Sequence, residues 1–493
     1  MQESNIELKQ LTDMAEFIVA IELGSSKITG IVGKKNIDGS ISVLTIVSED
    51  STACIRKGVV YNIDKTVQTL TNIVKKLETA LKAKIAHVYV GVGGQSIRSV
   101  RNTIIKELQP GTIVTQTMVN ELMDANRSMQ YPEQEILDAA TQEYKLDNQF
   151  QIDPVGIQCS RLDGNFLNIL WRKNFYRNLN KCFDNAGIAI AEMYLSPLAL
   201  ADAVLTDAER RSGVALVDMG ADTTTVCVYY KNILRHLVVI PIGSNNITKD
   251  IASLQMEESQ AEQMKRQYAS AFTETNDIDN ESTYAIDADR SVDMQTFTNI
   301  VEARISEIIA NVWYQIPNEY YDKLLGGFVL TGGGSNLHNI ERAFRNHTHI
   351  GKIRIAKFVT QTIHANQPLI TAKDGTMCTV LGLLAKGDMN CAGEELTNDL
   401  FGGESKPTPA TPHKEPRTPS EISGKGIVQT EAEKAAEEER QRKLHEEEER
   451  LKAEEAEKEA QRLAERENSV INKSLRGLKK FFSKMVDDEE DEK

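Results

Sequence analysis

The chain has 493 residues, of which 40% are hydrophobic and 26% charged, and its formal net charge is −15. The length allows several domains with large buried cores, and the acidic balance argues against a general nucleic-acid-binding protein, which is usually basic. The sequence has no apolar run long enough to span a membrane and no secretory signal, and its six scattered cysteines are typical of reduced thiols in a cytoplasmic protein.

Residues 17–390 alternate apolar, strand-like runs with helical segments, which predicts a globular α/β region. Examples of the runs are FIVAIEL, HVYVGVG, GVALVDM and GFVLTG. The stretch Asp64–Lys82 has apolar residues at helical spacing and predicts an amphipathic helix. The polar stretch 273–290 predicts a loop or the tip of a hairpin.

The first of three glycine-bearing loops lies in Ala20–Gly33, where a strand, a tight turn and a second strand are predicted. Small residues at Gly24, Ser25 and Ser26 let backbone N–H groups approach a phosphate, and the hydroxyls add donors. Lys27 could supply the counter-charge. Taken alone, the pattern fits an ordinary hairpin turn equally well.

The second loop lies in Val214–Tyr230 and repeats this pattern of strand, glycine, hydroxyls and strand. Asp218 stands at a strand end, where a carboxylate can hold a hydrated Mg²⁺ that bridges phosphate oxygens. Gly220, Thr223 and Thr224 could bind the phosphates from the other side. The alternative is again a polar hairpin.

The third loop lies in Gly326–Phe344, where an apolar strand meets Gly332, Gly333 and Gly334. Glycines there permit flat approach of a nucleobase or sugar, and they free N–H groups at the start of a helix predicted over Asn336–Phe344. The spacing is neither that of a Walker loop nor that of a Rossmann fingerprint.

The composition changes after Cys391. A stretch rich in Pro, Thr, Ser and Gly predicts a disordered linker. The following Glu431–Glu467 consists almost entirely of strong helix formers. Its leucines are too sparse for a heptad seam, so a single solvated helix or charged spacer is favoured over a coiled coil.

The segment Val470–Val486 predicts an amphipathic helix that lies in a membrane interface. Its apolar side chains share one arc, namely Ile471, Leu475, Leu478, Phe481, Phe482, Met485 and Val486. The cations fall opposite or at the boundary, namely Lys473, Arg476, Lys479, Lys480 and Lys484. Five cations would attract an anionic leaflet. A partner-binding helix and a solvated chain end remain the alternatives.

The order of the three loops resembles the duplicated actin/Hsp70/sugar-kinase fold, in which two α/β lobes face each other with ATP between them. Within that superfamily the chain resembles the FtsA family of bacterial cell-division proteins. The segments PIGSNNITKDIA, AEQMKRQYASA and HVYVGVGGQSIRSV carry this resemblance, together with the amphipathic tail. The last of the three resembles the point where FtsA leaves its first subdomain for an inserted one, called 1C.

The resemblance implies an ATP-binding protein, with Mg²⁺, that polymerises on the inner face of the cytoplasmic membrane at the division site. Glu262 and Lys265 would reach the ribose and base, as would Gly332–Gly334 and Asn336 on the adenosine side. The alternative for Glu262 and Lys265 is that they lie on a solvated helix face and bind no ligand. The implied partners are the tail of the tubulin-like FtsZ, other copies of the chain, anionic lipids and later division proteins, with no nucleic acid.

The resemblance also implies a subdomain order. The expected boundaries are 17–90, 171–205 and 371–390 for subdomain 1A, 91–170 for 1C, 206–250 and 306–370 for 2A, 251–305 for 2B, 391–430 for the linker, 431–468 for the charged spacer and 469–486 for the membrane helix.

Three departures from the superfamily pattern bear on hydrolysis. Glu22 stands where the first strand usually ends in Asp, and its carboxylate is displaced by about 1.5 Å. Glu22 is therefore a weak candidate for catalysis. Ser196 replaces a Glu that positions the attacking water, and Ala221 and Asp222 replace glycines. We expect ATP binding with slow or negligible hydrolysis. A small-molecule kinase or an Hsp70-like chaperone of the same fold is the alternative.

Overall fold

The computed structural model describes residues 16–395, apart from 275, 277, 278 and 280, together with Arg442. The chain divides into two units, Met1–Ile427 and Val428–Lys493, and the fold described here belongs to the first. The predicted charged spacer and membrane helix lie outside the described residues, except for Arg442. Among the described residues, no helix is both long and apolar enough to cross a membrane.

The strands are β1 Ile18–Leu23, β2 Lys27–Lys35, β3 Ile41–Asp50, β4 Ile55–Arg56, β5 Val59–Val60, β6 Ala83–Ile85, β7 His87–Val92, β8 Arg98–Ile113, β9 Gln134–Thr141, β10 Tyr144–Leu146, β11 Gln149–Gln151, β12 Gln158–Arg172, β13 Ala189–Leu195, β14 Val214–Met219, β15 Thr224–Tyr230, β16 Ile233–Ile240, β17 Thr283–Ala285, β18 Ser291–Asp293, β19 Gly327–Thr331, β20 Ile353–Ile355, β21 Ile363–His364 and β22 Ala392–Glu395. The α-helices are α1 Ile63–Leu81, α2 Gln116–Arg127, α3 Lys173–Ala186, α4 Ser196–Val204, α5 Asp207–Ser212, α6 Ser244–Ala252, α7 Glu258–Tyr268, α8 Met294–Gln315, α9 Ile340–Thr348, α10 Pro368–Thr371 and α11 Cys378–Lys386.

The first lobe is built on a six-stranded sheet in the order β13-β7-β1-β2-β3-β21. The central strands are almost continuously apolar because helices cover both faces of the sheet. On β2, a Cβ at Gly30 would meet Ile73 of α1, and a Cβ at Gly33 would meet Leu384 of α11. Residues three apart on a strand face opposite ways, so α1 and α11 lie on opposite faces.

The second lobe repeats this plan with the order β16-β15-β14-β19-β20. In each lobe three consecutive strands are antiparallel neighbours, a later strand pairs in parallel with the first of them, and one more strand pairs in parallel with that later strand. Thus β1 corresponds to β14 and β7 corresponds to β19. The duplication inferred from the two glycine-bearing hairpins is therefore present in the strand order itself.

The inserted subdomain lies between β7 and α3. Its long strands β8 and β12 pair antiparallel from Arg98–Leu170 to Ile113–Gln158, and α2 closes a separate small core around Leu122 and Phe166. The sheet of the insert is continuous with that of the second lobe, because Arg98 of β8 pairs with Val238 of β16. The insert is thus chain-connected to the first lobe and hydrogen-bonded to the second.

Helices α4 and α11 pack against each other between the lobes. A Cβ at Gly382 would lie 2.6 Å from the carbonyl oxygen of Ala199, so the backbones approach closely there. Pro197 stands in the first turn of α4, where its missing N–H costs nothing.

One segment agrees with a sequence prediction and two differ. The polar stretch 273–290 contains β17 and the turn that joins it to β18, so it forms part of a two-stranded hairpin. This agrees with the hairpin alternative. Strand β22 pairs with β6, so regular structure extends past the predicted boundary at 390 into the predicted linker. The helix expected over Asn336–Phe344 begins only at Ile340, because a 3₁₀ turn covers Gly333–Asn336.

Candidate nucleotide-binding site

The first glycine-bearing hairpin joins β1 to β2, as predicted. The N–H of Gly24 donates to the carbonyl of Lys27 at 3.0 Å, and a Cβ at Gly24 would lie 2.8 Å from that same oxygen. The Ser51 hydroxyl donates to the Gly24 carbonyl at 2.7 Å. Ser25 is buried, whereas Ser26 is exposed. The turn is therefore tight and already braced.

The second hairpin joins β14 to β15 with the same geometry. The N–H of Gly220 donates to the carbonyl of Thr223 at 2.9 Å. The start of α6 caps the turn, since the N–H of Ser244 donates to the Gly220 carbonyl. Thr224 is buried and its hydroxyl donates to the Ile242 carbonyl at 2.9 Å. Thr224 thus supports the hairpin, while Thr223 is partly exposed.

Two carboxyl groups stand at corresponding ends of β1 and β14. Burial raises the pKa of Glu22 to about 8, and the nearby Asp218 carboxyl adds to the rise, against the opposing effects of Lys27 and a hydrogen bond with Thr379. Burial raises the pKa of Asp218 to about 6. The electrostatic coupling of the two groups means that the corresponding strand ends of the two lobes meet at one place.

Lys27 belongs to the same group of charges. Burial lowers the pKa of its ammonium, while Glu22 and Asp374 act in the opposite direction. Glu22 and Asp374 thus both favour the charged form of Lys27, which burial disfavours.

The third loop closes on the second hairpin at Asp218. Gly332 has φ +80°, and a Cβ there would overlap Oδ1 of Asp218. The Asn336 side chain donates to the Asp374 carbonyl at 2.7 Å, which anchors the far side of the loop. Gly333 is exposed and Gly334 is buried against Met219. The three glycines thus form a flat surface beside the strand ends.

Glu262 and Lys265 lie on α7 and bind each other rather than facing solvent. The Lys265 side chain is 7% exposed, and its ammonium lies 2.6 Å from Glu262 Oε2. The same ammonium donates to Thr248 Oγ1 at 2.8 Å and to the Ser244 carbonyl at 3.1 Å. Since Ser244 caps the second hairpin, this cluster fixes α7 against that hairpin.

Comparison with known proteins gives two family matches. A model described as "Cell division protein FtsA" matches residues 215–382, and a model described as "SHS2 domain inserted in FTSA" matches residues 94–170. The FtsA of Neisseria meningitidis serogroup B is 32% identical over 332 residues, which cover 66% of this chain and 80% of that protein. The chain belongs to the FtsA family of cell division proteins.

Other relatives agree with this membership. The FtsA of Bacillus subtilis is 31% identical over 64% of this chain and 73% of that protein. The FtsA of Porphyromonas gingivalis is 28% identical over 79% of this chain and 82% of that protein. Membership in the FtsA family displaces the small-molecule-kinase and Hsp70-like-chaperone alternatives.

Among solved structures, the complex titled "PilM-PilN type IV pilus biogenesis complex" is similar in fold. It is 14% identical, with a TM-score of 0.52, and the similarity covers 74% of this chain and 97% of that chain. The fold is the actin-like duplicated α/β fold with the FtsA-type insert. The SHS2 match coincides with strands β8–β12 and helix α2.

Ser196, which stands where active ATPases of the superfamily are expected to have Glu, lies beside the end of β7. Ser196 is the first residue of α4, and a Cβ at Gly91 would lie 2.6 Å from its hydroxyl oxygen. A hydroxyl therefore occupies the space beside the end of β7, and a hydroxyl is a poor base at neutral pH.

The structure changes the interpretation of Asp222. Its carboxylate accepts the side-chain N–H of Asn245 at 2.8 Å and the backbone N–H of Lys57 at 3.1 Å. In the sequence, Asp222 stands where relatives have a glycine, and its charge would repel phosphates unless a cation intervenes. In the structure both carboxylate oxygens have hydrogen-bond donors, which orient the group and leave its charge in place.

Sequence reasoning missed several residues of this site. Thr379 forms a hydrogen bond with Glu22, and the charge of Asp374 partly offsets the lowering of the Lys27 pKa by burial. The backbone N–H of Lys57 donates to Asp222. A signal existed only for the last one, because a glycine after Lys57 in a strand-like stretch indicates a turn. The nine proposed membrane-binding residues, 471–485, lie outside the described residues.

Proposed function

We propose that the chain binds ATP between its two lobes and acts in bacterial cell division as an actin-like polymer on the cytoplasmic membrane. The observation that carries the proposal is the meeting of Glu22, Asp218 and Gly332 at corresponding strand ends of a duplicated fold. Lys27 and the two hairpins, with the exposed Ser26 and the partly exposed Thr223, flank this point, which suits a chain of phosphates.

In the proposed complex the three loops would hold ATP. The phosphates would lie between the hairpins at Gly24–Lys27 and Gly220–Thr224, and the adenosine against Gly332–Gly334 and Asn336. Glu262 and Lys265 would lie beside the ribose. The ammonium of Lys265 would exchange a bond to Thr248 for one to the nucleotide.

Magnesium would be held indirectly. In the described part of the chain, no three His, Cys, Asp or Glu side chains come together to hold a metal ion. Asp218 by itself suits the role, because Mg²⁺ keeps several waters and is usually bound through one or two carboxylates and the phosphates of the substrate. The ion would offset the charge of the phosphates beside Asp218.

Slow or negligible hydrolysis is part of the proposal. Burial raises the pKa of Glu22 to about 8, which favours its protonated form at pH 7 in the ligand-free protein, and a protonated carboxyl cannot accept a proton from water. Ser196 offers no substitute base. ATP would then act as a conformational ligand rather than as a fuel consumed at each turn.

Membrane attachment and FtsZ recruitment rest on the sequence and on family membership. The segment Val470–Val486 would bind an anionic leaflet weakly, and polymerisation would multiply that affinity through many attached helices.

The proposed binding site for the FtsZ tail is a surface pocket of about 290 Å³ between α6 and α8, in the expected subdomain 2B. Its lining includes Ile300, Arg304 and Asp250, where Arg304 Nε donates to Asp250 at 2.6 Å.

Two measurements test ATP binding and slow hydrolysis. A fluorescent ATP analogue with Mg²⁺ is titrated into the protein, and phosphate release is measured in a single turnover. We expect saturable binding, and release slower than about 1 per second, the low end of typical enzyme turnover. Absence of saturable binding would refute ATP binding, and faster release would refute the slow-hydrolysis part alone.

A further inference from the structure

Asp222 makes a hydrogen bond between the two lobes. The residue stands in the second hairpin, and its Oδ2 accepts the backbone N–H of Lys57, which belongs to the first lobe, at 3.1 Å. Its Oδ1 accepts the side-chain N–H of Asn245 at 2.8 Å, which orients the carboxylate from within the second lobe. Hydrogen bonds to a charged acceptor are stronger than those between neutral groups.

The partner of Asp222 is a constrained two-residue turn between β4 and β5. Lys57 and Gly58 both have positive φ, +50° and +71°. A Cβ at Gly58 would lie 2.5 Å from Cα of Gly94, so the turn is pressed against the start of the inserted subdomain. The Lys57 carbonyl accepts the N–H of Gln95 at 2.8 Å from the same place.

This turn also holds the first hairpin. The N–H of Gly58 donates to the hydroxyl of Ser25 at 2.8 Å. The N–H groups of two successive residues therefore bind the two phosphate hairpins, Lys57 through Asp222 and Gly58 through Ser25. The turn is a bridge that sets the distance between the hairpins.

We propose that Asp222 is a positioning residue that clasps the second hairpin to the Lys57–Gly58 turn, keeps the cleft closed and slows the release of a bound nucleotide. The last step rests on the proposed ATP binding. The clasp itself is a property of the ligand-free chain. A glycine at this position, as the superfamily pattern expects, has no side-chain acceptor and cannot form the clasp.

The chemistry of the carboxylate defines the variants. Asp222→Ala removes both acceptor oxygens. Asp222→Asn keeps one acceptor for Lys57, and rotation of the Asn245 amide can preserve the other bond. Asp184→Asn is the matched control, because Asp184 is an exposed carboxylate on α3.

The first measurement is hydrogen exchange of the full chain without nucleotide. In Asp222→Ala, we expect the Lys57 amide to exchange about tenfold faster or more, since a charge-assisted bond is lost. Amides of α1 should keep their rates, which verifies folding. Asp222→Asn and Asp184→Asn should stay within about threefold of the unmodified chain on the same energy scale. An unchanged exchange rate of the Lys57 amide in Asp222→Ala would overturn the clasp. The same holds if Asp222→Asn exchanges at Lys57 as fast as Asp222→Ala.

The second measurement is release of a fluorescent ATP analogue after a chase with unlabelled ATP. We expect release from Asp222→Ala to be about tenfold faster than from the unmodified chain and from Asp184→Asn. Equal release rates would overturn the role in retention. If the unmodified chain binds no nucleotide, ATP binding fails, while the exchange result still decides the clasp. Should Asp222→Ala not fold, Asp222→Gly makes the same comparisons.

Discussion

Gly332 and Asp218 touch so closely that no side chain fits between them. At φ +80°, a Cβ on Gly332 would overlap Oδ1 of Asp218. We therefore expect Gly332→Ala to push the carboxylate out of place, lower affinity for ATP at least tenfold, and cost about 1 to 3 kcal/mol of stability from backbone strain. Nucleotide titration and urea unfolding measure the two effects.

Gly351→Ala is the matched control for that change. Gly351 has open space around the position of a Cβ and no positive φ, so both affinity and stability should stay near those of the unmodified chain. Equal nucleotide affinity in Gly332→Ala and Gly351→Ala would contradict the placement of the phosphates beside Asp218.

Glu22 gives the ligand-free protein a characteristic pH dependence. Its pKa rises from 4.5 in the unfolded chain to about 8 in the folded one. Between these values the folded state holds the extra proton, so this group's contribution to the free energy of unfolding falls as pH rises through that window. Glu22→Gln should remove the dependence and be more stable than the unmodified chain at pH 8, by about 1 to 3 kcal/mol.

Urea unfolding at pH 5 and pH 8 tests this prediction, with Glu281→Gln, an exposed glutamate just before β17, as the control. If Glu22→Gln and the unmodified chain lose the same stability between pH 5 and pH 8, Glu22 is ionised in the folded protein. The argument for slow hydrolysis would then lose its electrostatic basis.

Glu209 and Arg354 form an ion pair that holds α5 to β20. The guanidinium donates to both carboxylate oxygens, at 2.6 Å and 2.8 Å, and Glu209 also completes a capping box with Thr206. The hydrogen bond from Arg354 is the main cause that lowers the pKa of Glu209 to about 2, from 4.5. The resulting stability is present above pH 4.5 and is lost as pH falls through about 2.

Glu209→Gln should accordingly cost roughly 2 to 3 kcal/mol at pH 7 and progressively less below pH 4.5. Arg345→Met, on the exposed face of α9, gives the background for loss of an arginine, to be compared with Arg354→Met. A cost of Glu209→Gln that does not shrink on acidification would show that the charge is not responsible.

Arg235 fastens the inserted subdomain to the second lobe. Its side chain is 7% exposed, and Nη1 lies 3.2 Å from both Gln142 Oε1 and Glu143 Oε2. Arg235→Met removes the buried cation from these acceptors, while Lys231 stays 3.4 Å from Glu143 Oε1, so we expect a loss of about 1 to 3 kcal/mol. Hydrogen exchange should also quicken along β10. Arg211→Met, an exposed cation on α5, should change neither quantity; equal effects would rule out this role for Arg235.

The parts of the site that are local in the sequence could be predicted. The pattern of an apolar strand, a glycine and hydroxyl residues occurs around both Gly24 and Gly220. The conformation of such a turn is determined by neighbouring residues. Glu22 and Asp218 come at the ends of apolar runs, so their positions at strand ends could also be predicted from the sequence. The strand order then confirmed the duplication.

The parts that depend on distant contacts could not be predicted. Lys57 and Asp222 are 165 positions apart and meet through a backbone N–H, which no residue pattern encodes. The late start of α9 has a similar origin. Asn339 adopts a left-handed conformation, with φ +57°, while its side chain donates to the Phe272 carbonyl. Tertiary contacts thus overrode the helical pattern at Asn336.

We propose that ATP binding, by promoting polymerisation, controls attachment of this chain to a membrane through its C-terminal segment. The most direct measurement is co-sedimentation with anionic liposomes, with and without Mg-ATP, of the full chain and of a truncation after Ser469. We predict that the full chain pellets more strongly with ATP, because polymerisation multiplies a weak helix affinity, and that the truncation stays in the supernatant. Equal pelleting of both chains, or pelleting of the full chain that ATP does not change, would contradict the claim.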